Sequence, residues 1–236
     1  MLSIIIPSLN EEKYLGLLLE SIKRQGFSDY EIILADAGST DKTLKIAKQY
    51  NCKIIAGGLP ARGRNEGAKV AKGDVIFFCD ADVILPDNFF EKALAEFKAR
   101  NLEVASFGIT PLPKKIITTA ILNICYNYPA RILEKILPHA ATAILVKKDL
   151  FGKSGGFDED IKLSEDHYLV RYVQKKFKAK VGIIKSVNIL VSDRRFKTDG
   201  WLNIGLKYFL CELHLIFIGP VKSDIFKYNF NHYNKH

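Results

Sequence analysis

The chain has 236 residues, 48% of them hydrophobic and 26% charged, with a mean hydropathy of +0.02. That composition excludes a disordered or fibrous chain and suits one α/β core with an appendage. The net charge of +9 is uneven: residues 1–110 hold 14 Lys/Arg against 15 Asp/Glu, and residues 111–236 hold 21 against 11. The back half is therefore the part expected to meet an anionic partner.

Segments rich in β-branched residues alternate with helical patterns from the first residue, which predicts βαβ units and a mainly parallel sheet. Strands are expected at Leu2–Pro7, Glu31–Ala35, Lys53–Ala56, Val75–Cys79 and Val104–Ile109. Helices are expected near Tyr14–Gln25, Lys42–Tyr50, Asn65–Lys72 and Asn88–Arg100, the last with Phe89, Phe90, Ala93, Leu94 and Phe97 at helical spacing. Pro111 and Pro113 then break the pattern. Beyond them the sequence predicts a helix over Lys115–Leu137 interrupted at Pro129, a strand at Thr142–Val146 and a Gly-rich loop at Gly152–Phe157. A helix at Glu165–Lys176, an extended stretch at Val181–Val191 and an aromatic tail, helical at first, complete the chain.

Cys52, Cys79, Cys125 and Cys211 lie far apart without metal-ligand spacing, so a reduced, cytoplasmic protein without a disulfide framework is expected. No basic stretch precedes Leu2–Ile6, which argues against a signal peptide. The most membrane-like window, Leu202–Gly219, carries Lys207, Glu212 and His214 and is not expected to span a bilayer.

In open α/β sheets ligands sit beyond the carboxyl ends of the strands. Three acidic clusters would gather there: Pro7-Ser8-Leu9-Asn10-Glu11-Glu12, Asp36-Ala37-Gly38-Ser39-Thr40-Asp41 and Asp80-Ala81-Asp82. Two carboxylates one residue apart at a strand end suit a hard divalent cation, Mg²⁺ or Mn²⁺, carrying a diphosphate. The second cluster has the makings of a tight turn and helix cap. Capping leaves Asp36 over, and its carboxylate could accept from a nucleobase N–H. Arg62 and Arg64, expected just ahead of a helix, and Arg194-Arg195 offer guanidinium groups to a diphosphate. Ser164 is a candidate helix N-cap, and Glu165 or Asp166 behind it a candidate general base. His139, beside Pro138 in a polar loop, could reach a donor or acceptor phosphate, but a lone loop histidine is expected to be merely exposed.

In order and spacing these pieces resemble the family 2 glycosyltransferases, inverting enzymes with a GT-A fold. Leu2–Glu11 is similar to that family's opening strand and P-x-x-N-E turn, and Ala35–Asp41 to its D-D-G-S-x-D segment, with Ala37 in place of the second acid. Ala61–Gly67 resembles its A-x-x-R-N-x-G helix start, and Phe77–Asp82 the strand bearing its D-x-D. Gly155–Glu159 and Glu165-Asp166 resemble its G-G-F-D-E loop and E-D motif. The resemblance spans residues 1–196. It implies a nucleotide-sugar-binding half at 1–110, an acceptor and catalytic-base half at 111–196, and a basic aromatic tail at 197–236. By it, Pro7, Leu9 and Glu11 line the base and ribose, Asp36 bonds the base, and Arg64 approaches the base or diphosphate. Asp80, Ala81 and Asp82 meet the sugar and metal, and Asp166 deprotonates the acceptor. The Q-x-x-R-W of processive synthases is missing, and Arg194-Arg195-Phe196 stands near its place, which implies a single transfer.

Acceptor choice is expected in residues 111–163 and the tail. Ile117, Ala120, Ile121, Ile124 and Tyr128 form an apolar stripe, expected to pack on the sheet, with Lys114, Lys115, Arg131 and Lys135 around it. The aromatic and basic tail suits either an anionic membrane surface or closure of the hydrophobic core or a dimer interface; the first reading gives a lipid-linked or glycan acceptor and an enzyme peripheral to the cytoplasmic membrane face. A sugar nucleotidyltransferase would carry an early Gly-rich triphosphate loop, absent after Pro7. A basic lipid- or nucleic-acid-binding module would not need the acids, and no nucleic-acid-binding signature occurs.

Overall fold

Alternation within the first strand decides how the sheet is covered. On β1 (Leu2–Ser8) Ile4 and Ile6 join the apolar layer on one face, while Ile5 joins the layer on the other. On β4 (Val75–Cys79) Phe77 and Phe78 divide the same way. Both faces are thus apolar and both must be covered by helices, giving three layers. The structure is a computed structural model that describes residues 1–140, 142–192, 201–223 and 225, with the side chains of 201–205 left aside.

Helices α1 (Leu15–Lys23), α2 (Thr43–Gln49) and α4 (Phe89–Ala99) cover the first face, where the rings of Phe77 and Phe89 touch each other and both touch Phe90 and Phe107. The other face takes α3 (Pro60–Val70), α7 (Lys148–Ser154) and α8 (Glu165–Phe177). The remaining strands are β2 (Tyr30–Asp36), β3 (Lys53–Ala56), β5 (Val83–Ile84), β6 (Val104–Leu112), β7 (Ala143–Lys147) and β8 (Val181–Ser192). The sheet order is β3-β2-β1-β4-β7-β6-β8-β5. Four of its seven pairings are parallel and three, those of β4 with β7, β6 with β7 and β5 with β8, are antiparallel. Because β1, β2 and β4 run parallel, with Pro7 beside Ala35 and Ile5 beside Phe78, their carboxyl ends meet at one edge.

Several boundaries differ from the expected ones. Helix α3 begins at Pro60, whose ring is preset for a first helical turn, so Arg62 and Arg64 lie inside the helix and not ahead of it. Strand β6 runs on through Pro111: β7 pairs only with Val104–Ser106, and the edge left open beyond tolerates a residue without an N–H. Gly152 lies in α7, and the Gly-rich loop starts only at Gly155, in the left-handed region. The expected helix at 115–137 is three short pieces, α5 (Ile116–Leu122), a π-helical turn (Asn123–Asn127) and α6 (Tyr128–Ile132), so the irregularity precedes Pro129. A last helix, α9, spans Trp201–Phe217.

Helix α3 sits unusually close to β1. A Cβ on Gly67 would stand 2.4 Å from Ile5 Cγ2 and one on Gly63 3.3 Å from Pro7 Cβ. Gly67→Ala is expected to cost about 1–3 kcal/mol through overpacking, read as a lowered denaturation midpoint. That close approach brings Arg64 to the strand ends.

Candidate active site

The exits of β1 and β2 are laced together. Asn10, in the left-handed region, donates its N–H to Ser39 Oγ (2.9 Å) and accepts at Oδ1 from Thr40 N (2.8 Å). Glu11 N donates to Thr43 Oγ1 (2.7 Å), while Glu12 N donates to Asp41 and Lys42 N to Glu12. These bonds hold Pro7, Leu9 and Glu11 beside the β2 exit, with Glu11 buried. Asp36 ends β2 and is consumed locally more than expected. Its Oδ2 accepts from Gly38 N and Ser39 N (2.9 Å each) and its Oδ1 from Ser39 Oγ (2.5 Å). An Asx-type turn thus accounts for Asp36 as well as for the cap, although a carboxylate has lone pairs for a further donor.

The centre of the site is Arg64. Its guanidinium is buried, donating from Nη2 to Asp80 Oδ1 (2.8 Å) and from Nη1 to Glu165 Oε1 (2.6 Å), with Phe157 5.3 Å beneath. Burial alone would disfavour this charge, but Asp80, Glu165 and Asp166 together raise its pKa, so it stays ionised. The fork joins the end of β4 to the start of α8, whose Glu165 lies 101 residues beyond Arg64 in the chain.

Asp80 and Asp82 are half-exposed on either side of buried Ala81, and Asp80 N is held by Thr142 O (2.9 Å). This pair of hard oxygen donors fits a divalent cation such as Mg²⁺ or Mn²⁺. Thr142 Oγ1 is buried with no hydrogen-bond partner among the described residues, and Thr142 lines a small cavity with Arg64, Phe78, Ala143, Ile144 and Asp166. Sequence reading missed Thr142; a lone threonine at a strand start carries no signal.

Asp166 faces that cavity from the first turn of α8. Burial pushes its carboxyl up to about 6; the nearby charges of His167 and Arg64 hold it back, and Glu165 pushes it further. His167 N donates to Asp166 Oδ1 (2.8 Å). Ser164 occupies the N-cap position, but its hydroxyl contacts Cys211 Sγ (3.3 Å) and caps nothing. The G-G-F-D-E loop is clamped to α3 by Asn65, which exchanges hydrogen bonds with Phe157 N and O (2.9 Å each) and reaches Glu159 (2.9 Å). Gly156, at φ +82°, leaves room for it: a Cβ there would stand 2.6 Å from Asn65 Oδ1.

Behind Asp166 lies a second polar cluster. Glu212 of α9 accepts from Arg171, meets His167 Nδ1 (3.2 Å) and lies 3.3 Å from His139 Nε2. Burial opposes its charge, but the two histidines and Arg171 hold its carboxyl well below the usual range, and Asp166 and Glu212 raise the pKa of His167 against burial. His139 is therefore half-buried and paired rather than exposed. His139, His167 and Glu212 are close enough to hold an ion, but Arg171 already neutralises Glu212, so the cluster reads as an ionic clamp of α9 onto α8. Glu212→Gln is expected to cost about 1–3 kcal/mol and to speed amide exchange in α9 first, measured by hydrogen–deuterium exchange. Arg194 and Arg195 lie outside the described residues.

A mixed sheet covered on both faces, with an acidic pair past β4 and a carboxylate opposite it on α8, is the layout of a GT-A glycosyltransferase. The glycosyl transferase family 2 model matches residues 3–143, and the chain belongs to that family. Among curated relatives, the minor teichoic acid biosynthesis protein GgaB of Bacillus subtilis is 32% identical over 205 residues, covering 78% of this chain and 22% of that protein. The poly(ribitol-phosphate) β-N-acetylglucosaminyltransferase TarS of Staphylococcus aureus is 28% identical over 181 residues, covering 70% of this chain and 30% of TarS. The chain thus spans well under half the length of these two relatives. Among solved structures, TarS 1–349 superposes with TM-score 0.65 at 20% identity, over 92% of this chain and 72% of that one. The mannosyltransferase PcManGT of Pyrobaculum calidifontis, in complex with GDP-Man and Mn²⁺, superposes with TM-score 0.67 at 16% identity, over 89% and 62%.

Proposed function

We propose that this protein moves a sugar from a nucleotide-diphosphate sugar to an acceptor hydroxyl or lipid phosphate by a single inverting displacement, with Asp166 as base. The observation that carries this reading is that Arg64 and Asp166 line one cavity at the strand ends while Arg64 holds Asp80 at 2.8 Å. The donor class is supported by family membership and by relatives' complexes, TarS with UDP-GlcNAc and PcManGT with GDP-Man. The nucleoside would lie over the β1 and β2 exits, between Pro7, Leu9, Glu11 and Asp36, with its diphosphate directed to Asp80, Ala81 and Asp82. Asp80 and Asp82 would hold Mg²⁺ or Mn²⁺, which supplies positive charge to the leaving diphosphate.

Asp166 has a pKa of about 6, so near pH 7 it is ionised yet basic enough to take a proton. As the acceptor oxygen bonds to the anomeric carbon, the bond from that carbon to the diphosphate oxygen breaks. Its electron pair leaves on the nucleoside diphosphate; the proton of a hydroxyl acceptor passes to Asp166, whereas an ionised lipid phosphate attacks with no proton to lose. Arg64 fixes Asp80 and Glu165 so that Asp166 stays aimed at the cavity, a positioning role. Arg194 and Arg195 belong to the same reading as diphosphate contacts. The acceptor is lipid-linked or a glycan, reached in the cytoplasm at the membrane face, with residues 1–110 serving the donor, 111–196 the acceptor, and 197–236 adding a basic aromatic tail.

³¹P spectroscopy of the protein with candidate donors and Mn²⁺ tests the reaction class. Release of a nucleoside diphosphate, absent in Asp80→Ala, is the expected result. Pyrophosphate release from a sugar phosphate plus nucleoside triphosphate would establish a nucleotidyltransferase instead.

A further inference from the structure

The apolar stripe on α5 and α6 does not pack on the sheet. Ile117, Ile121, Ile124, Tyr128 and Ile132 follow one another at helical spacing and point away from the protein, Ile117 at 75%, Ile124 at 66% and Ile132 at 79% exposure. The inward side of the same helices carries Leu122, Asn127 and Ala130, all buried, with Asn127 bonded to the backbone of Ile109. Among the described residues, every exposed large hydrophobic except Met1, Leu17 and Leu59 falls within 116–136 or 206–225. Helix α9 repeats the arrangement, with Phe209 and Phe217 outward and Cys211 and Glu212 inward. Helices that turn large apolar side chains to solvent at regular helical spacing present an apolar face without a neighbour in the protein.

We propose that the Ile117–Ile132 face, with exposed Lys114, Lys115 and Lys135 around it, seats the protein on an anionic lipid surface. The inference rests on the proposed transfer to a lipid-borne acceptor and identifies the surface that presents it. Charge complementarity selects the occupant. No Asp or Glu occurs from Pro111 to Leu133, and Glu134 is buried against Arg100 and Lys185. A second copy of this face would bring lysines with no carboxylate to meet them, whereas lipid phosphates supply that charge across the whole rim. The contact lies in the plane of the interface: no described helix is long and apolar enough to cross a membrane. The face also leads to the chemistry. Tyr126 lies inside the π-helical turn with its ring edge-on to His139, His139 packs in turn against His167, and His167 N donates to Asp166. An acceptor head group held at this membrane face therefore arrives on the Asp166 side of the protein.

Sedimentation of the full chain with phosphatidylcholine vesicles, with and without phosphatidylglycerol, tests this. Binding is expected only to the anionic vesicles. It should fall by about tenfold or more in Ile117→Asn/Ile121→Asn/Ile124→Asn, which removes three aliphatic anchors, and by about fivefold per charge in Lys114→Gln/Lys115→Gln. Both variants change exposed side chains, so thermal unfolding and donor-induced stabilisation should match wild type. This keeps failure of the surface separate from failure of the transferase reading. Wild-type binding by the isoleucine variant, no binding of wild type to anionic vesicles, or loss of binding only on removal of residues 226–236 would each overturn the proposal.

Discussion

Asp166→Asn is expected to lower kcat by about a hundred- to ten-thousandfold, the range of a lost general base, and at the same time to make the protein more stable. The two effects share one cause. Burial raises the Asp166 carboxyl from 3.8 to about 6, so the folded state holds this proton more tightly than the unfolded chain does. Stability from this group is present below the unfolded pKa and is lost as pH rises through about 6. Above that pH the ionised carboxylate costs up to about 3 kcal/mol, which asparagine relieves. Wild type and variant should unfold alike near pH 3.5, separate between pH 4 and 6 and keep a constant gap above pH 7, read from denaturation midpoints across pH. In wild type, kcat/KM should climb about tenfold per pH unit up to the same pKa, a limb absent in the variant. A variant that loses activity and stability together would make Asp166 a structural residue.

Arg64→Met is expected to be the most damaging substitution of similar volume. The guanidinium is the shared cation between Asp80 and Glu165 and acts on Asp166, and removing one partner from a buried ionic group leaves uncompensated charge at about 3–5 kcal/mol. The loss should shrink at acid pH, where Asp166, whose carboxyl burial pushes up to about 6, is protonated and no longer needs the guanidinium. Arg64→Lys should recover only part of it, because one ammonium cannot reproduce a fork whose Nη1 and Nη2 serve different acids. Chemical denaturation at pH 4.5 and 7.5 checks both points. Equal losses at the two pH values would remove the ionic explanation and leave packing on Phe157.

How far this site can be read from residues alone depends on the range of each interaction. The motifs past β1, β2 and β4 are legible because parallel strands in βαβ order must deliver their carboxyl ends to one edge, and strand-end acids come with them. The limits lie where partners are remote or where a pattern has two solutions. Arg64 reads as a diphosphate-facing arginine ahead of a helix until α3 is seen to start at Pro60 and to approach β1 through Gly63 and Gly67. Its link to Glu165 then spans 101 residues with no local trace. Asp36 reads as surplus to the cap because nothing in sequence shows both its oxygens folded back onto Gly38 and Ser39. Glu212 left one clue, a carboxylate inside an otherwise apolar helix, and its partners come from elements up to 73 residues away. The stripe on α5 and α6 shows the second limit. Helical spacing establishes that one side is apolar, and only packing decides whether that side faces the sheet or the solvent.

The central claim, that the acids past β4 bind a nucleotide-diphosphate sugar through a divalent ion, is tested most directly by titration calorimetry. UDP-, GDP-, CMP- and dTDP-linked sugars would be titrated with and without Mn²⁺ into wild type and Asp82→Ala. The account predicts binding of one nucleoside-diphosphate class that strengthens with Mn²⁺ and loses that dependence in Asp82→Ala. Donor binding indifferent to both the metal and Asp82, or no binding of any donor by wild type, would contradict it.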